Sequence, residues 1–243
     1  MIRNFVIRIL EYLIRNHFER VQKVFNYIHP RVIDETAYLK QIKANTNVSV
    51  IIDVGVHEGT PNLYSVFKDK HFILVDPVID QLEFKPQSYK FIQKGLGEKN
   101  EIKKFNIHPN SGLSSYKEEL NLNRNIESSV AKVIETEVIT LDNLISNECS
   151  KDHKIGIKID AQGSEYDILL GLEKFIDKVE FIILENNILP RYDNSKLFSE
   201  TTSLLFKKDF YFLNILEPSY AIPRYNYDCA YLHKGNPLFK TKK

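Results

Sequence analysis

VIIDVGVHEGT, from Val50 to Thr60, and HFILVDP, from His71 to Pro77, are the stretches on which the fold turns. Each begins as a continuous apolar run rich in β-branched residues, as a strand buried on both faces of a parallel sheet should be. The first run stops at an acid followed by Gly55, which can turn tightly and lets a ligand approach the backbone. Thr60 supplies an N-cap hydroxyl and Pro61 suits the first helical position, so a helix is expected to start just past Gly59. The order is strand, glycine loop, helix. Asp76 ends the second run 23 positions after Asp53, about where a nucleotide-binding α/β unit places the carboxylate that accepts both ribose hydroxyls.

The glycine spacing bears on the ligand. A dinucleotide fingerprint wants G-x-G-x-x-G so that backbone amides close on a pyrophosphate. Here Gly55 and Gly59 are separated by Val56, His57 and Glu58. That loop is less open to phosphate but accommodates the zwitterionic methionine tail of S-adenosylmethionine. The same two segments would also suit a strand-turn-helix that binds nothing.

Working outward, 243 residues with 43% hydrophobic content can bury one sizeable core, which favours one catalytic domain with extensions. A net charge of +1 argues against an extended nucleic-acid surface and fits small-molecule or glycan acceptors better. Cys149 and Cys229 have no close-spaced partner, so neither a disulfide framework nor a cysteine zinc site is expected, and a reducing cytoplasm is the simplest setting. No uninterrupted apolar run approaches the ~20 residues that cross a bilayer. Between Ile2 and Ile28 apolar residues recur at helical spacing with Arg3, Arg8, Arg15, Arg20 and Lys23 among them, until His29-Pro30 ends the helix. Three readings of this segment stand. It packs on the catalytic domain or across a homo-oligomer, which is the default, or it lies on a membrane surface, or it is a mobile arm.

Along the rest of the chain, Tyr89–Gln93 reads as a strand leading to Gly95 and Gly97, and Ile102–Ile107 alternates. A loop from His108 to Ser115 concentrates hydroxyls, Glu135–Leu141 reads as a further strand, and LDNLI as a helical turn; such insertions often cover an active site. KIGIKIDAQG (Lys154–Gly163), a helical stretch from Ser164 to Asp177, and VEFIILEN (Val179–Asn186) form a βαβ unit whose strands both end in acids. Asp160 and Glu185 therefore belong on the same sheet edge as Asp53 and Asp76. Ser195–Phe206 reads as a helix, and Phe210–Leu216 and Asp228–Leu232 as an antiparallel pair of strands at the end of the sheet.

DVGVHEGTP (Asp53–Pro61), LVDP (Leu74–Pro77), Ser114-Ser115, TLDNLI (Thr140–Ile145), KIDAQGSEYDILLG (Lys158–Gly171) and ILEN (Ile183–Asn186) together resemble the FkbM-type S-adenosylmethionine-dependent methyltransferases. The resemblance runs from about Val48 to the carboxyl terminus, and KIDAQGSE is its most specific block. Many members carry glutamate where Gln162 stands. The resemblance implies an α/β class I methyltransferase fold of Rossmann-like type. This is a seven-stranded, mostly parallel sheet with one antiparallel strand and helices on both faces, spanning 46–243 behind an N-terminal helical extension over 1–45. It further implies methyl transfer to oxygen, commonly to a sugar hydroxyl in surface polysaccharide, glycolipid or secondary-metabolite biosynthesis.

The expected cofactor site draws on Asp53, Gly55, Val56, His57, Gly59, Thr60, Asp76, Pro77, Gly95, Ser114, Ser115 and Asp160. A sugar hydroxyl must lose its proton as the new bond forms, and Asp160, His57 and Glu185 are the candidate bases, Asp160 first. Asp160 could equally hydrogen-bond the cofactor, and His57 could cap the helix or meet the methionine carboxylate. Asp160 and Glu185 with a third oxygen ligand could hold magnesium, but no compact ligand motif supports a metal. Tyr192, Tyr225 and Asp228 are candidates for the acceptor pocket. A NAD-dependent oxidoreductase, disfavoured by the glycine spacing, and a non-catalytic methyltransferase-like scaffold are the competing readings.

Overall fold

The computed structural model describes residues 35–79, 82–109, 111–120, 130–216 and 226–240. The amphipathic segment Ile2–Ile28 and the loop that carries Tyr225 lie outside them. Residues Glu35–Lys243 form one compact unit, and none of the described helices is long and apolar enough to cross a membrane.

In chain order the elements are α1 (Glu35–Ala44), β1 (Val50–Val54), α2 (Pro61–Val66), β2 (His71–Val75), β3 (Tyr89–Ile92), β4 (Gly95–Leu96), β5 (Glu101–Ile107), β6 (Lys132–Ile139), α3 (Leu141–Glu148), β7 (Ile155–Ile159), α4 (Glu165–Leu170), β8 (Val179–Asn187), α5 (Phe198–Lys207), β9 (Phe210–Ile215) and β10 (Asn226–His233). Seven strands make the main sheet in the order β3-β2-β1-β7-β8-β10-β9. All its pairings are parallel except those of β10, which runs against both neighbours. This is the seven-stranded Rossmann-like sheet expected from the sequence. The crossover connections run outward from β1 on one side and β7 on the other, so the topological switch point falls between these two strands.

Alternation along the strands divides the core into two layers. Val50, Ile52, Val54, Ile157, Ile159, Ile182 and Leu184 pack beneath α3, α4 and α5. Ile51, Phe72, Leu74, Phe181, Ile183 and Ala230 pack beneath α1 and α2, where Leu39, Ile42 and Leu63 are buried along with Phe67 just past the end of α2. Helices thus cover both faces, and β1 and β7, central in the sheet, are buried along their whole length.

The polar insertion forms a separate three-stranded sheet in the order β4-β6-β5. Two helix boundaries differ from the sequence reading. Leu141 opens α3 rather than ending a strand, because the Thr140 hydroxyl accepts the Asn143 N–H as an N-cap. The helical pattern expected over Ser164–Asp177 stops at Gly171, and beyond it the Asp142 carboxylate gathers the N–H groups of Glu173, Lys174 and Phe175. That long-range cap holds the chain in a non-helical turn.

Candidate active site

At the switch point the carboxyl ends of β1, β2 and β7 face the small sheet across a cleft enclosing about 760 Å³, open solvent at its mouth included. One wall is Val54, Gly55, His57 and Asp160–Gln162, and the other is Leu96, Phe105, Gly112, Ser114 and Tyr116, with Val75–Val78 and Gly95 between. Gly55 has φ +74, and a Cβ there would come within 1.7 Å of the Asp160 carbonyl oxygen. A side chain at this position would push apart the two strand ends that define the cleft.

Asp76 sits at the end of β2 with one oxygen accepting the His57 N–H (3.1 Å) and the other the Val78 N–H (2.8 Å). Burial holds its carboxyl above the usual carboxylate range, against the pull of these backbone donors. His57 lines the same cleft with a left-handed backbone, φ +46. This conformation turns its N–H toward Asp76.

Asp160 marks the other end of the cleft. Its Oδ2 accepts from Lys158 Nζ (3.2 Å) and its Oδ1 from Gln162 Nε2 (2.8 Å), while its side chain stays 29% exposed. The Gln162 amide also reaches Glu185 Oε2 (3.3 Å), and its oxygen accepts the Tyr192 hydroxyl. Glu185 Oε1 accepts from Asn226 Nδ2. Burial, reinforced by Asp160, Glu165 and Asp228, raises the Glu185 carboxyl well above its ordinary value.

Of the residues expected to hold a cofactor, Gly55, His57, Asp76, Pro77, Gly95, Ser114 and Asp160 line the cleft. The others are placed differently. Asp53 is fully buried one residue inside the end of β1, on the α2 face, where Oδ2 accepts the hydroxyls of Thr60 (2.9 Å) and Tyr64 (2.6 Å) and Oδ1 lies 3.9 Å from Lys158 Nζ. Thr60 stands at the N-cap position, yet its hydroxyl serves this buried acid instead of the helix. Val56 is packed in the core, Gly59 lies against the Phe84 backbone, and the buried Ser115 hydroxyl donates to the Gln162 carbonyl (2.6 Å). Glu185 stands beyond Gln162 rather than on the cleft wall.

Four participants escaped the sequence reading as site residues: Lys158, Tyr116, Phe105 and the bridging role of Gln162. Lys158 carried a legible signal, a charge inside the otherwise apolar strand IGIKI. Such a charge has to be answered by acids. Burial pulls its ammonium down, but Asp160, Asp53 and Asp228 outweigh this and hold it above its ordinary value. The aromatic pair Phe105 and Tyr116, edge to face at 4.8 Å, gave no local sign, since the insertion's strands had to be paired first.

A family model, the methyltransferase FkbM domain, matches residues 53–212. The chain belongs to the FkbM methyltransferase family. No curated protein matches it. The FkbM match opens on Asp53 and closes in β9, so it takes in every described residue of the cleft wall. A methyltransferase needs a methyl donor, and the FkbM cleft offers two carboxylates, Asp76 and Asp160, on its lining. Its one lining lysine, Lys94, is engaged with Glu137 (2.6 Å).

Proposed function

We propose that the chain is an S-adenosylmethionine-dependent O-methyltransferase acting on a hydroxyl of a sugar or nucleotide-activated sugar used in surface polysaccharide or glycoconjugate biosynthesis. The observation that carries the reading is the half-buried Asp76 carboxylate in the cleft, fixed by backbone N–H groups at the end of β2. A carboxylate so held can accept from a ribose hydroxyl. The cleft's lining also suits the donor's charge, since Asp160 and Asp76 favour a sulfonium and an ammonium over a pyrophosphate.

When bound, the donor supplies a methyl group already activated by its sulfonium. The protein's task is then alignment and proton removal. Gly55 and His57 leave room at the strand end, and Phe105, Tyr116 and Leu96 exclude water from the opposite side. Asp160, held between Lys158 and Gln162, accepts the proton of the acceptor hydroxyl at an oxygen still partly exposed. Glu185, tied to the same Gln162 amide, holds the acceptor side of the pair. His57 is the second base candidate, from the cleft's other end.

Calorimetric titration with S-adenosylmethionine tests the reading. Asp76→Ala is expected to weaken binding by about 1–3 kcal/mol, as for hydrogen bonds to a charged group. Asp160→Asn is expected to weaken donor binding modestly, through the lost negative charge, and to lose transfer of labelled methyl to nucleotide sugars even at saturating donor. Stabilisation by NAD and not by S-adenosylmethionine would overturn the proposal, and unchanged affinity in Asp76→Ala would overturn the ribose assignment.

A further inference from the structure

Asp160 follows β7 and Glu185 stands near the end of the adjacent β8, so two carboxyl groups share one stretch of the sheet edge. Such a pair is held together by a proton, a cation or hydrogen-bond donors between its members. Here Gln162 takes that place. Its Nε2 donates to Asp160 Oδ1 (2.8 Å) and to Glu185 Oε2 (3.3 Å). The outer oxygens are engaged too, Asp160 Oδ2 by Lys158 Nζ (3.2 Å) and Glu185 Oε1 by Asn226 Nδ2. All four carboxyl oxygens of the pair thus accept from nitrogen donors of the chain itself.

Several bonds serve only to place that amide. Gln162 has a left-handed backbone, φ +49, a conformation that persists where the surroundings hold it. The Ser115 hydroxyl donates to its carbonyl (2.6 Å), and Glu165 accepts the N–H groups on either side of it, from Ala161 (2.9 Å) and Gly163 (3.0 Å). The Tyr192 hydroxyl donates to the amide oxygen, so the NH2 edge is the one that faces the acids. Tyr192 is buried against Gly163, where a Cβ would come within 2.8 Å of it.

We propose that Gln162 is a positioning residue whose amide occupies the place of a divalent cation between Asp160 and Glu185, so that this carboxylate pair works without one. The inference rests on the reading of Asp160 as the base of a methyltransferase and deepens it by naming what holds the base. Magnesium and manganese bind through oxygen lone pairs. At this pair they would meet the N–H groups of two amides and the Lys158 ammonium instead. Taking the Gln162 amide away leaves the pair short of a positive neighbour, which a cation can then supply.

Gln162→Gly removes the side chain at a backbone angle that glycine adopts freely, so the turn itself is not strained. Chelator-treated, ligand-free protein is melted with and without millimolar manganese. Manganese is expected to raise the melting temperature of Gln162→Gly by several degrees and to leave wild type unchanged, since an ion bound only by the folded chain stabilises it. Adding Asp160→Asn is expected to abolish the shift, and calorimetry should show Gln162→Gly binding manganese about tenfold more tightly than wild type. A residue that merely packed would lower the melting temperature with no response to manganese. Gln162→Glu puts a third carboxylate in the amide's place and is expected to gain the same shift, which covers the case in which Gln162→Gly does not fold. Wild-type affinity for S-adenosylhomocysteine is expected to be equal in chelator and in magnesium. Absence of S-adenosylhomocysteine binding overturns the methyl-donor reading alone, because the manganese measurements are made on the ligand-free chain. Saturable manganese binding by wild type that Asp160→Asn removes, donor affinity that needs magnesium, a folded variant whose melting point manganese does not move, or a shift that survives Asp160→Asn would each overturn the role of Gln162.

Discussion

A lysine in the middle of a buried strand must be neutralised locally, and Lys158 lies 3.2 Å from Asp160 and 3.9 Å from Asp53. Removing the cation while leaving Asp53 fully buried should cost about 3–5 kcal/mol, the usual penalty for breaking a buried pair. Urea denaturation of Lys158→Met measures it. The double variant Lys158→Met with Asp53→Asn should recover part of the loss, since no anion is then stranded. A loss below about 1 kcal/mol would show that burial already keeps Asp53 neutral. At this scale the sequence was legible where an acid stands directly after a strand's last residue, as Asp76 follows β2 and Asp160 follows β7. It misled at Asp53 because VIIDV is apolar on both faces, so alternation could not tell that the strand continues to Val54 and turns the acid inward. Thr60 misled for a related reason. Its local partner, the helix N-terminus, lost to Asp53, a competitor visible only once β1 and α2 are packed.

The strands and helices of the main sheet were readable from apolar runs and turn residues, and their edge could be inferred from parallel pairing. In the small sheet β5 and β6 were readable as strands, but their pairing and β4 were not. β5 and β6 pair across a long intervening segment, and β4 has only two residues, too few for periodicity to register. The element nevertheless forms one side of the cleft, and its fit depends on Gly95. A Cβ at Gly95 would lie 1.9 Å from the Tyr116 hydroxyl oxygen, which also bonds Thr136 at 2.7 Å. Gly95→Ala should therefore displace Tyr116 from the cleft wall, with a stability loss of about 1–3 kcal/mol from overpacking and weaker S-adenosylmethionine binding. Adding Tyr116→Phe removes the clashing oxygen and should restore part of the stability. If Gly95→Ala leaves both the urea midpoint and the calorimetric affinity unchanged, the small sheet yields without disturbing the cleft.

Across the whole molecule, acids and bases nearly balance at a net charge of +1, yet buried carboxylates gather at one edge of one sheet. Burial raises Asp53, Asp76, Glu165 and Glu185 alike, and for Glu165 it reaches about 7. Glu165 is 4% exposed and caps the turn before α4, accepting the N–H groups of Ala161 (2.9 Å) and Gly163 (3.0 Å). A carboxyl whose folded value lies above its unfolded one binds more protons in the folded state. Its stabilising contribution is complete below the ordinary carboxylate value and is lost as pH rises through the folded value. The ligand-free protein should therefore lose stability steadily between about pH 5 and pH 8, with Glu165 alone contributing about 3 kcal/mol of the change. Glu165→Gln keeps an oxygen for both backbone donors and removes the titration, so its melting temperature should fall less over the same range. A cationic donor bound beside Asp76, whose carboxyl burial holds above its ordinary value, favours its ionised form, so S-adenosylmethionine binding should release protons and tighten as pH rises. Calorimetry in buffers of different ionisation enthalpy counts those protons. A wild-type melting temperature that climbs from pH 5 to pH 8 would mean that these carboxylates are ionised in the fold, with their charges answered more fully than burial penalises them.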